Sequence, residues 1–168
     1  NNYRRWLGDL WVDGKEGSPS YEETEKYDWT LDNIGPKWCY IEEMDENTIS
    51  GQSAWSPPIE GVEWLLEQLG DENLVSSLTY EDEMPNFIGA RVYKGSELVS
   101  EEEWNFDSLI EFIINEYSDK LGGKYNFEEH EWADEESEEF FMEYMYESIA
   151  NLQDEEIEYG LNWIKEND

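Results

Sequence analysis

Positive charge is scarce in this chain: 10 Lys plus Arg stand against 44 Asp plus Glu, a formal net charge of −34 over 168 residues. Displacing counterions from phosphates takes clustered Lys and Arg, and the one adjacent basic pair is Arg4-Arg5, so direct binding to nucleic acid or to anionic lipid is not expected. Cysteine is reduced to Cys39, which cannot form an internal disulfide, and histidine to His130. One of each does not furnish a zinc site. Apolar residues never run long enough to span a bilayer, and there is no secretory signal pattern and no Asn-x-Ser/Thr sequon, so the expected compartment is the cytoplasm, that of the host cell if the gene belongs to a phage or plasmid. What the chain has in quantity is aromatic surface, with nine Trp, eleven Tyr and six Phe. A strongly self-repelling chain without such surface would be disordered; this one has enough to build a core, and its length suits one domain or a domain with an appendage.

Residues 1–26 read as an N-terminal helix and loop, with Trp6, Leu7, Leu10 and Trp11 at helical spacing before Gly17-Ser18-Pro19-Ser20. An α+β core is expected over 27–124. Tyr27 to Asn33 alternates apolar and polar residues as a strand does, Glu42 to Asn47 forms an acidic turn, and Thr48 to Trp55 suits a second strand. Ser56-Pro57-Pro58 predicts a helix start, with Ser56 as cap; Ile59, Val62, Leu65, Leu66 and Leu69 form its stripe and Gly70 its end. Leu74–Tyr80 and Phe87–Tyr93 predict a hairpin with a turn longer than two residues. A second amphipathic helix starts near Asn105 or Asp107, carries Phe106, Leu109, Ile110, Ile113, Ile114 and Tyr117, and stops at Gly122-Gly123.

Residues 125–168 form an acidic amphipathic extension. Phe140, Phe141, Tyr144, Met145, Ile149 and Leu152 describe a helical stripe, and Ile157, Leu161 and Ile164 continue one beyond an expected break at Gln153-Asp154. The extension is therefore expected to dock on the core with its charges outward.

Trp29 with Asn33, Gly35-Pro36-Lys37-Trp38, Ala54-Trp55-Ser56-Pro57-Pro58 and Phe87-Ile88-Gly89 give residues 27–95 a pattern that resembles the YubB-type ferredoxin-like domain of unknown function of bacterial, plasmid and phage proteins. The resemblance implies a ferredoxin-like α+β fold, an antiparallel sheet with helices packed on one face, and it implies no activity. The acidic extension lies outside it.

Side-chain chemistry narrows the function further. A nucleophilic triad would have to pass through His130, and nothing else converges there; its neighbours Glu128, Glu129 and Glu131 suit a surface histidine. Cys39 suits a small core residue beside Trp38. Asp45 to Gly51 superficially follows a calcium loop, but position five is Ile49, the glycine is one place late and position twelve is Ser56. Gly122-Gly123-Lys124 lacks the spacing of a phosphate loop and reads as a helix terminus. No catalytic residue, metal or cofactor is expected.

The acidic surface remains. Residues 128–168 hold sixteen acids and one base, Lys165; taken as wholly helical they would span about 60 Å, one net charge per ~4 Å, close to the ~3.4 Å of a single phosphate strand. The expected activity is that of an acidic nucleic-acid mimic, a non-enzymatic inhibitor binding the basic site of a nucleic-acid-binding protein, of the restriction or CRISPR nuclease type. The expected contact residues are Glu128, Glu129, Glu131, Asp134, Glu135, Glu136, Glu138, Glu139, Glu143 and Glu147, with Glu101, Glu102 and Glu103 as a competing cluster. The alternative is an antitoxin-like regulatory module with a solubilising acidic surface.

Overall fold

The computed structural model describes Gly35, Pro36 and residues 39–168. The expected helix and loop over 1–26 and the expected strand Tyr27–Asn33 lie outside the described residues. The protein is α+β, with small antiparallel sheets and a long C-terminal helix. The chain divides into two compact units, residues 1–74 and 75–168.

In the first unit, β1 (Cys39–Met44) pairs antiparallel with β2 (Ile49–Ser53). The segment read as an acidic turn from Glu42 is thus half strand, and the turn is confined to residues 45–48. Asp45 makes that turn: its Oδ1 accepts the N–H groups of Asn47 and Thr48, each at 2.8 Å, the local bonding that short polar side chains offer in place of a ladder. The helix α1 (Ile59–Leu69) ends as expected at Gly70, whose φ of +63° suits a residue without Cβ. Its start differs from expectation. Ser56 caps nothing; Ser56 and Pro57 each precede a proline and are biased away from helical angles, so the cap position falls to Pro58, which has no side-chain bond and whose carbonyl accepts the first helical bond, from the Val62 N–H at 2.9 Å.

The second unit is built on a meander. β3 (Val75–Glu81), β4 (Phe87–Lys94) and β5 (Glu97–Asn105) form one antiparallel sheet in that order. The β3–β4 turn spans residues 82–86, where Asn86 Nδ2 donates to Asp82 Oδ2 at 2.8 Å. β5 was not expected: the triplet Glu101-Glu102-Glu103 hides its alternation, although Gly95-Ser96 is a recognisable two-residue hairpin turn. Next come α2 (Phe106–Glu116), α3 (Ser118–Leu121), the two-residue strands β6 (Tyr125–Asn126) and β7 (Glu131–Trp132), and α4 (Glu135–Asn167). Asn105 caps α2 by accepting the Ser108 N–H at 2.8 Å.

α4 is one uninterrupted helix of 33 residues, about 50 Å long. The expected break at Gln153-Asp154 does not occur. Gln153 is a buried member of the stripe, and its amide donates towards Tyr80 O at 3.2 Å, Gly89 O at 3.4 Å and Glu81 Oε2 at 3.1 Å. A polar residue here ties helix to sheet. Phe141, Met145, Ile149 and Leu152 of α4 share one core with Ile88 of β4, Leu109, Ile110 and Ile113 of α2, and Leu121 of α3. Each such burial contributes about 1.5–3 kcal/mol, against ~0.2–0.5 kcal/mol lost per like-charge pair one helical turn apart. The apolar stripe therefore holds α4 in place despite its acids. Among the described residues, no helix is long and apolar enough to cross a membrane.

Candidate functional site

Residues 75–168 carry 27 acidic and five basic side chains, a net −22. The first thirteen residues of α4 concentrate this charge. Glu135, Glu136, Glu138, Glu139, Glu143 and Glu147 are all exposed and fall within about 20 Å of helix, one per ~3.3 Å. The segment from Ser148 to Gln153 contains no acid, and the charge resumes at Asp154, Glu155, Glu156 and Glu158. The uniform 60 Å polyanion expected over 128–168 is thus corrected: residues 128–134 are not helical, and α4 carries two acidic patches with a gap.

The acids of the first patch differ in what they do for the fold. Asp134 is the N-cap: its Oδ1 accepts the Ser137 N–H at 2.8 Å and Lys124 Nζ lies 3.4 Å from Oδ2. Bonding to the Ser137 backbone, more than Lys124, holds its carboxyl below the ordinary value. Glu135, Glu136 and Glu138 occupy the first turn, where negative charge is favoured by the helix dipole. Glu139, Glu143 and Glu147 are different. They stand at four-residue intervals, a row with ~6 Å rise between neighbours, in which each pair repels. Nothing in helix stability favours that row.

Glu128, Glu129 and Glu131 sit on the β6–β7 hairpin beside the start of α4. Asn126 Oδ1 accepts the N–H groups of Glu128 and Glu129 at 3.0 and 3.2 Å. A run of rings anchors this loop: Tyr125 on Trp132 with centroids 4.8 Å apart, Trp132 on Phe141 at 5.1 Å, and Phe141 edge-on to Phe106 at 5.8 Å. His130 takes φ +55° in the loop, its Nδ1 3.9 Å from Asp107 Oδ1. Asp107 therefore joins this acidic edge, which only the packing of α2 brings there.

The triplet on β5 is not one cluster. Alternation along a strand sends Glu101 and Glu103 to the face opposite Glu102. Glu101 Oε2 pairs with Arg91 at 2.6 Å, and Tyr80 donates its hydroxyl to Glu103 at 2.7 Å; burial first, then Glu103, pushes the Tyr80 hydroxyl up to about 12. Glu102 lies on the α4 side near Glu156, whose carboxyl is held above its ordinary value by burial and by the Glu102 charge. Two of the three are thus engaged within the sheet.

No group of three or more His, Cys, Asp or Glu suited to a metal ion occurs among the described residues. Cys39 is half-buried and burial pushes its thiol up to about 11, which keeps it protonated and unreactive at neutral pH. Sequence reading did miss a feature of the acidic face. Met142 and Tyr146 are exposed on α4; both fall off the buried stripe, which was the signal available. No protein-family model, no curated protein and no solved structure matches the chain.

Proposed function

We propose that the protein is an acidic nucleic-acid mimic that binds, without catalysis, the basic nucleic-acid-binding site of a defence nuclease of the restriction or CRISPR type, acting in the host cytoplasm. The row Glu139, Glu143 and Glu147 carries this reading. These charges repel one another, are exposed and sit on a helix whose buried stripe fixes them, so a cationic groove gains them without paying the ordering entropy of a loose tail. The spacing of ~3.3 Å per charge over the first patch is that of a phosphate strand, ~3.4 Å.

The test is capture by the immobilised protein from a bacterial host extract, followed by competition. A nuclease released by excess duplex DNA, with affinity falling steeply between 50 and 200 mM salt, supports the proposal. Replacing Glu139, Glu143 and Glu147 together with Gln should weaken capture and flatten the salt dependence. Capture that ignores both salt and these substitutions overturns it.

Exposed Met142, Tyr146, Tyr159 and Trp163 on α4 favour a second reading, an antitoxin-like regulatory module that uses a hydrophobic interface. Binding that survives ~0.5 M salt, where screening is nearly complete, selects it. The ferredoxin-like architecture and the YubB-type kinship over 27–95 belong to the proposal as well.

A further inference from the structure

We infer that the partner surface is rich in arginine and that Tyr146 selects arginine over lysine; this rests on the polyanion reading above. Met142 is 52% exposed and Tyr146 64% exposed. They stand four residues apart, so they form one apolar strip along α4. Glu143 lies three residues before Tyr146, which brings their Cβ atoms within about 5–6 Å, and Glu139 and Glu147 extend the acidic row beside the strip. A lone aromatic on a solvated helix face needs no explanation, but an aromatic with a thioether one turn away, bordered by a carboxylate row, is a composite surface.

Charge complementarity identifies what covers it. The carboxylates require a cation, and the apolar strip requires a cation with a flat, weakly hydrated surface. A guanidinium meets both demands: it bonds a carboxylate such as Glu143 through two N–H groups while its plane lies on the tyrosine ring. An ammonium pairs with the same carboxylate but stays strongly hydrated and gains less from the ring. Of the interface-enriched residue types, Tyr and Met are supplied by this face and Arg by the partner.

The experiment titrates the full chain with octa-arginine and octa-lysine peptides at equal ionic strength, by calorimetry. The wild-type protein should bind octa-arginine about threefold to fivefold more tightly. Tyr146→Leu, which keeps apolar area but removes the ring, should erase the difference, and Tyr146→Phe should retain it. Circular dichroism should show all three proteins equally helical, since the side chain is exposed. Equal affinities for the two peptides in the wild type, or a preference that persists in Tyr146→Leu, overturn the inference, while salt-sensitive binding of both peptides still supports the polyanion reading. Absence of salt-sensitive binding to either peptide overturns that reading and the inference with it.

Discussion

Gly160 of α4 lies directly over Val92 of β4, so closely that a Cβ on the glycine would stand 2.7 Å from the valine Cβ and 2.5 Å from Ser100 Oγ. Helix and sheet touch backbone to side chain at this point, and only a residue without a side chain permits it.

Gly160→Ala should therefore destabilise the protein, against the direction of helix propensity. The alanine gains about 1 kcal/mol in propensity, but overpacking a closed contact costs roughly 1–3 kcal/mol. A net loss in urea denaturation is expected; a gain would mean that α4 does not seat on β4 as described.

Gln153 is the second tie between α4 and the sheet. Gln153→Leu keeps the volume and removes the amide that serves the Tyr80 and Gly89 carbonyls. A loss of about 1–2 kcal/mol is expected, read as a lower denaturation midpoint at unchanged m-value.

The carboxylate row should trade stability for binding. Glu139→Gln, Glu143→Gln and Glu147→Gln combined remove two repelling pairs, each worth ~0.2–0.5 kcal/mol, so the triple variant should melt slightly higher than wild type at low salt, the difference shrinking at high salt. A lower melting point would show that these acids serve the fold.

Asp134 gives a pH signature. Its folded-state pKa lies below the ordinary value because the ionised carboxylate caps α4. The stabilisation is fully present above the unfolded value of ~3.9 and disappears as pH falls through the lower folded one. Asp134→Ala should thus lower the melting temperature at pH 6, and the gap between variant and wild type should close as the pH falls through the folded-state value. A gap independent of pH would remove the ionised cap from the account.

Much of the local structure was legible because it rests on short-range periodicity. The stripe of α1 with Gly70 as its end, the stripe of α2, the β3–β4 hairpin and the greasy face of α4 each follow from apolar spacing. What escaped was structure without a local signature. β5 conceals its alternation under three glutamates, and β6 and β7 are two residues each, too short for any period. Ser56 looked like a cap until two consecutive prolines delayed the helix, and Gln153 looked like a break until its amide met the sheet.

The amino-acid sequence by itself determined the excess of negative charge, the poverty of reactive side chains and the amphipathic faces, because these depend on composition and on repeats of 3.6 or two residues. Only the tertiary structure decided which carboxylates are occupied. Glu101 and Glu103 are taken up by Arg91 and Tyr80 through strand register, while Glu139, Glu143 and Glu147 remain outward beside Met142 and Tyr146. A charge's availability depends on its neighbours across strands and helices, and chain spacing does not encode those neighbours.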